Sequence, residues 1–237
     1  MAAAGSGERL GAGGPKAFVP LAGRPMIEWS LDAFRACESV RSIVVAAPPG
    51  HDHDLAGDLT VVAGGATRCE SVTNAMAVVE TELVAIHDAA RPLLTPELVE
   101  ALVADLDANQ EAAGVIAASP VTDTIKQATR VGSKGPNRAL GSQDDHKSQL
   151  EVERTADRTV LWAAQTPQVF RTGELRAALA VDEAIRDAAT DEAMLVEQAG
   201  GTVLLQLTPG ENIKVTTPLD LRVAELLLAE RSRSVPE

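Results

Sequence analysis

Ala2-Ala3-Ala4-Gly5-Ser6-Gly7-Glu8-Arg9-Leu10-Gly11-Ala12-Gly13-Gly14-Pro15-Lys16 opens the chain, and its reading decides the rest. The stretch carries five glycines, one arginine and one lysine, with little side-chain bulk. Small residues let a backbone approach a ligand closely, and glycine tolerates positive φ. Successive N–H groups in such a loop form a cradle for anions. Arg9 and Lys16 place a cation at each end, so the fitting ligand is a polyphosphate.

Two familiar phosphate loops do not match. A dinucleotide-binding fingerprint needs a third glycine where Leu10 stands, and a Walker A loop needs Gly-Lys-Ser/Thr where Pro15-Lys16-Ala17 stands. A phosphate loop of this kind normally follows a buried strand, yet only Met1 precedes Ala2. The first strand is therefore expected to be shortened, or the start misassigned.

At 237 residues, 45% hydrophobic and 23% charged, the chain has the size and composition of a single globular domain. A net charge of −13 and 2% aromatic residues disfavour a nucleic-acid partner, which needs a basic face and stacking platforms. No apolar run approaches the roughly 20 residues that span a bilayer, and no signal-peptide pattern opens the chain. Cys37 and Cys69 lack metal-type spacing and read as free thiols of a cytoplasmic protein. His51-Asp52-His53-Asp54 reads as a polar loop rather than a metal site.

Outward from the loop, apolar strands and amphipathic helices alternate. Pro25 sits at a helix first turn, with Ile27, Leu31 and Phe34 in helical phase. Ile43–Ala47 and Leu59–Ala63 read as buried strands, the second followed by Gly64-Gly65, Arg68, Ser71 and a helix burying Val72, Met76 and Val79. The strand Leu83–Ile86 ends in His87-Asp88-Ala89-Ala90-Arg91-Pro92. Asp88 there suits Mg²⁺, which favours one or two carboxylates with phosphate oxygens, and Arg91 suits an anion or a neighbouring carboxylate.

Thr95-Pro96 opens a helix with Leu98, Leu102 and Leu106 in phase, and Gly114–Ala118 is a strand. Thr124 and Lys126 share a face if extended. Residues 127–156 are polar and glycine-bearing, so they read as an inserted arm or flexible loop that supplies no core strand. Val160–Ala164 is a strand, a helix runs on from Thr172, and Thr190-Asp191-Glu192 caps the next helix. Val203–Leu207 is a strand, and Thr217-Pro218 starts a last helix with Leu221, Leu226 and Leu227 available for packing. The expected fold is α/β, a Rossmann-like open, mostly parallel sheet with a protruding arm, binding ligands beyond the strand ends.

Together, Ala3-Ala4-Gly5-x-Gly7-x-Arg9, Pro15-Lys16, Gly64-Gly65-x-x-Arg68, His87–Pro92, Asp123-Thr124-Ile125-Lys126, Thr166-Pro167-Gln168, Thr190-Asp191-Glu192 and Asn212–Thr216 resemble the 2-C-methyl-D-erythritol 4-phosphate cytidylyltransferase family, whose fold is of the nucleotide-diphospho-sugar transferase type. The resemblance implies transfer of a cytidylyl group from CTP to methylerythritol phosphate with Mg²⁺, in a homodimer built through the arm. It implies that Arg9, Lys16 and Lys214 are catalytic through contacts to phosphate. It implies that the Ala3, Ala4, Gly5 and Gly65 backbone with Ser71 binds the cytidine half beside Arg68, and that Asp88 positions Mg²⁺ or the ribose side. Thr124, Arg158, Thr190 and Lys214 would hold the second substrate, with Arg158 arriving from a partner's arm. Three other readings stay open at this point: the same chemistry on ribitol 5-phosphate, a CTP-binding protein with an impaired site, and an NAD-type domain.

Overall fold

The computed structural model describes residues 1–5, 7, 10, 14–51, 55, 57–130, 149–208 and 210–234. It divides into two compact units, one of residues 1–118 with 164–237 and one of residues 119–163.

The first unit is layered around strands β3 (Val44–Ala47), β4 (Thr60–Ala63), β5 (Leu83–Ile86), β6 (Gly114–Pro120), β9 (Trp162–Arg171) and β10 (Val203–Leu207). A small antiparallel pair, β1 (Pro20–Leu21) with β2 (Arg24–Pro25), precedes them. The central sheet runs β10-β6-β9-β5, with β10 parallel to β6 and β9 antiparallel to β5. β3 pairs with β4 in parallel, Val44 opposite Thr60. Ala2 joins the two groups by bridging Ala46 and Asp88 in parallel sense. Met1–Ala3 thus lie between β3 and the end of β5, bonded to both.

Alternation along the strands sorts side chains to two faces. Ile116, Ile86 and Phe170 pack with α2 (Arg68–Met76), α4 (Thr172–Leu179) and α6 (Glu192–Gln198). Val115, Ala117 and Val169 pack on the other face with α1 (Met26–Arg35) and α3 (Pro96–Ala108). The helices start where sequence chemistry starts them. Thr95 accepts from the Leu98 N–H with Pro96 at the first turn, and Asp191 accepts from the Met194 N–H.

Several expectations are corrected. The strand read at Val160–Ala164 begins at Trp162 and continues through Gln165-Thr166-Pro167-Gln168 to Arg171. The helix from Thr172 stops at Leu179, and a separate short helix, α5 (Glu183–Ala188), follows. In α7 (Pro218–Ser234) Leu226 is exposed, because Ala224 and Leu228 are the residues in phase with the buried stripe.

The second unit covers the stretch read as an inserted arm or flexible loop. Residues 127–156 are not without regular structure: β7 (Lys126–Arg130) and β8 (Leu150–Thr155) form an antiparallel pair with an irregularity between Gln127 and Ala128. Most of its large apolar side chains face outward, Val152 at 57% and Val160 at 73% exposure.

Candidate active site

One cavity of about 620 Å³ opens at the ends of β4 and β5, floored by Ala2–Gly5 and Gly7. The floor is held from both sides. The Ala2 N–H donates to His87, the Ala3 N–H to Ala46, and the Lys16 N–H returns to the Gly5 carbonyl at 3.0 Å. Gly7 needs to be glycine, because it has φ of 73° and a Cβ there would lie 2.9 Å from the Gly14 carbonyl oxygen. Gly64 is equally constrained, since a Cβ would stand 2.3 Å from that of Ala4.

The N-terminus of α2 lines the same cavity through Ala66, Thr67 and Arg68. Thr67 caps the helix by accepting from the Glu70 N–H, while Glu70 accepts from the Ala66 N–H at 2.6 Å. Glu70 thus reaches one residue past the cap, a variant of the capping box, and the positive end of the helix dipole favours anions. Ser71 is buried and its hydroxyl is engaged: it donates to the Thr67 carbonyl and accepts from the Gly65 N–H at 2.9 Å. The hydroxyl therefore ties Gly65 into the cavity wall.

Asp88 stands at the carboxyl end of β5 with both oxygens paired. Arg68 Nε reaches one at 2.8 Å and Lys214 Nζ the other at 2.6 Å. Burial alone would raise this carboxyl, but the two cations overcome it and hold it well below the usual carboxylate range. Arg68 also grips Glu192, Nη1 lying 2.7 and 2.6 Å from its two oxygens. Glu192 is 1% exposed, so burial pushes its carboxyl up while Arg68 opposes.

Lys214 is positioned by its neighbours. The Val215 N–H donates to the Ala90 carbonyl, and Asn212 is pinned through its amide to Thr166 and Gln165. Arg91 completes this brace by donating to the Asn212 carbonyl at 2.7 Å. Arg91 is buried and stands outside the cavity lining, so it supports the Lys214 segment rather than facing the opening.

Behind Asp88, His87 is fully buried. Its Nε2 faces the Arg91 carbonyl at 3.2 Å and its Nδ1 meets the Thr166 hydroxyl at 3.2 Å. The carbonyl assigns the proton to Nε2, and Thr166 then donates to Nδ1 while accepting from the Asp88 N–H at 3.1 Å. Burial lowers the imidazole pKa to about 3, so the ring is neutral.

The sequence expectations distribute as follows. Ala3, Ala4, Gly5, Lys16, Gly65, Arg68, Ser71, Asp88 and Lys214 meet on one cavity wall. Arg9 lies outside the described residues, as do Asp52, His53 and Asp54 of the polar loop; His51 stacks on Phe18. Thr190 is exposed, close to Met194. Thr124 and Arg158 belong to the second unit, where Arg158 donates to the Thr122 carbonyl at 2.5 Å. Glu192, Thr166 and the cap residue Thr67 were not singled out as site residues. Thr67 carried a signal in its Thr-x-x-Glu spacing; Glu192 and Thr166 act through partners distant in sequence. Both cysteines are buried free thiols.

A cytidylyltransferase family model, described as 2-C-methyl-D-erythritol 4-phosphate cytidylyltransferase, matches residues 1–230. A protein of that name from Frankia casuarinae is 42% identical over 96% of this chain and 79% of its own length. Another, from Parasynechococcus marenigrum, is 41% identical over 98% of each chain. The crystal structure of the Thermus thermophilus enzyme of the same name superposes with a TM-score of 0.73 at 33% identity, covering 92% of this chain and 95% of that one. With the match running through nearly all of the sequence, the chain belongs to the 2-C-methyl-D-erythritol 4-phosphate cytidylyltransferase family.

Proposed function

We propose that this chain transfers the cytidylyl group of CTP to 2-C-methyl-D-erythritol 4-phosphate, giving the CDP-alditol and pyrophosphate in non-mevalonate isoprenoid biosynthesis. The observation that carries this reading is the meeting of Lys16, Arg68, Asp88 and Lys214 around a small-residue backbone floor beside a helix N-terminus. Family membership supplies the substrates.

An oxygen of the methylerythritol phosphate attacks the α-phosphorus of CTP. The bond from that phosphorus to the bridging oxygen breaks, and the electron pair leaves with pyrophosphate. The nucleophile is already an anion, so no general base is required. The protein's part is in-line positioning and charge stabilisation. Lys16, with Arg9, faces the triphosphate and the charge that grows on the leaving group. Lys214 meets the α-phosphate and the incoming phosphate. The Ala3–Gly5 and Gly65 backbone, kept in place by Ser71, reads the cytidine. Thr124, Arg158 and Thr190 hold methylerythritol phosphate, Arg158 coming from a partner's arm.

Asp88 fits Mg²⁺ as a single carboxylate on the cavity wall, the other ligands being phosphate oxygens and water. When bound, the ion neutralises triphosphate charge. Arg68 and Lys214 keep Asp88 ionised, each holding one of its oxygens. Among the described residues no group of three metal-ligating side chains exists.

The exposed apolar side chains of the arm, Leu150, Val152, Val160 and Trp162, support a homodimer formed through it. Among the described residues no helix is long and apolar enough to cross a membrane; we place the enzyme in the cytoplasm. Incubation with CTP, Mg²⁺ and methylerythritol phosphate, followed by ³¹P NMR, tests the reaction. A pair of coupled diphosphate-ester signals alongside pyrophosphate is expected, and unchanged CTP would reject it.

A further inference from the structure

Lys214 and Thr216 both line the cavity, while Val215 between them is fully buried against Ala224 and Leu228 of α7. Lys214 directs its ammonium to Asp88 at 2.6 Å. The Thr216 hydroxyl is directed away from phosphate chemistry altogether, because it donates to Asp220 Oδ2 at 2.7 Å. Asp220 is itself held at the start of α7. The same oxygen accepts from the Thr216 N–H and the Thr217 N–H, each at 2.8 Å, and the Thr217 hydroxyl accepts from the Asp220 N–H at 3.2 Å. The Thr216 hydroxyl and these N–H groups lower the Asp220 carboxyl to a pKa of about 2, so it is ionised and only accepts.

A hydroxyl has one proton and two lone pairs. With its proton committed to Asp220, Thr216 Oγ1 offers the cavity lone pairs alone. It has nothing to donate to a phosphate oxygen. Turning the hydroxyl to donate there would leave the Asp220 carboxylate facing that anion, which repels it. The opening turn of α7 supplies no anion site either, because Asp220 takes up the N–H groups of Thr216 and Thr217. A group that suits this part of the wall is neutral and brings its own proton. An alcohol meets both conditions.

We propose that Thr216, held by Asp220, is a specificity residue whose Oγ1 accepts a hydrogen bond from one hydroxyl of a polyol substrate. The assignment rests on the cytidylyl-transfer reading and deepens it. That reaction brings two polyols to the cavity, the ribose of CTP and the alditol chain of the acceptor phosphate, and both present the same alcohol chemistry. Lys214 and Thr216 then divide the work of one short segment. The lysine supplies a cation for phosphate, and the threonine supplies an acceptor for the alcohol beside it. A substrate that carries the phosphate but lacks the alcohol loses the second contact and leaves Oγ1 without a donor.

The test measures kcat/KM for pyrophosphate release by the full chain and by its Thr216→Val and Thr216→Ser variants. Valine keeps the shape and removes the oxygen, and Asp220 keeps both N–H bonds, so α7 stays capped. Each form is assayed with CTP, 2′-deoxy-CTP and 3′-deoxy-CTP, and with monodeoxy analogues of methylerythritol phosphate. Thr216→Val should lower kcat/KM about three- to tenfold with the full substrates. One deoxy analogue should cost the parent a similar factor and be used equally well by the parent and Thr216→Val. If that analogue is a deoxyribose nucleotide, the contact is to CTP; if it is a deoxy alditol, the contact is to the acceptor. Thr216→Ser should restore the discrimination. The same loss in Thr216→Val with every analogue, as a purely structural role would give, would overturn the proposal, and so would no loss with the full substrates. A parent that releases no pyrophosphate would reject the cytidylyl-transfer reading and this assignment with it, whereas an active parent without the selective loss would reject the assignment alone.

Discussion

Lys214 and Asp88, 126 positions apart in the chain, meet at 2.6 Å between Nζ and a carboxylate oxygen. The contact links the segment after β10 to the end of β5, and Arg68 approaches the other oxygen of the same carboxylate. A carboxylate between two cations is both a charge-balancing centre and a rigid mount for the groups that face phosphate. Asp88→Asn would leave two cations facing a neutral amide. Turnover should fall by about 10²–10³. Steady-state kinetics should show the loss mainly in kcat, and a rate within a few-fold of the parent would remove Asp88 from the site.

Lys16 lines the cavity beside the Gly5–Gly7 backbone. Lys16→Ala should lower kcat/KM by about 10²–10³, roughly 3–4 kcal/mol of transition-state stabilisation, with Tm unchanged. Circular dichroism melts run beside the assay separate loss of charge from loss of fold.

Glu192 holds Arg68 from within the core at 1% exposure. Breaking a fully buried pair from one side typically costs about 3–5 kcal/mol. Glu192→Ala should lower stability in denaturant by less than that, because Arg68 is partly exposed and keeps Asp88, and should weaken CTP binding, because Arg68 loses one of its two mounts. Glu192→Gln, which keeps one acceptor for the guanidinium, should recover part of both. If CTP affinity and stability were unchanged in Glu192→Ala, the positioning role would be wrong.

His87 makes stability depend on acidity. Its folded-state pKa of about 3 lies below the ordinary value of 6.5, so below pH 6.5 the unfolded chain takes up a proton that the folded chain does not. Stability should fall as pH drops from about 6.5 toward 3, by up to about tenfold in the folding constant per pH unit. Asp88, whose pKa is depressed, adds to the loss below about pH 4. Denaturant midpoints measured from pH 7 to pH 4 in the parent and in His87→Gln check this, the substitution being expected to flatten the upper part of the slope.

The fold was largely legible where local chemistry sets it. Thr95-Pro96 begins α3, Ile27, Leu31 and Phe34 turn inward, and Leu98, Leu102 and Leu106 are buried. The reversed direction of β9 was not legible, because an apolar run looks the same read either way along a sheet. Neither was the antiparallel pairing of β7 with β8, since β8 is exposed throughout and carries no hydrophobic alternation against a core. In the site, glycine spacing and strand-end placement identified the cavity floor and Asp88. The grip of Glu192 on Arg68, 124 positions away, and the Thr166 hydroxyl between His87 and Asp88 arise from tertiary proximity alone.

The most direct measurement is pyrophosphate release from CTP and Mg²⁺ with methylerythritol 4-phosphate, run in parallel with ribitol 5-phosphate. Release that depends on methylerythritol phosphate and is absent or far slower with ribitol phosphate is the expected result. Release with ribitol phosphate alone, or none from folded protein that binds CTP, would contradict the proposed cytidylyl transfer.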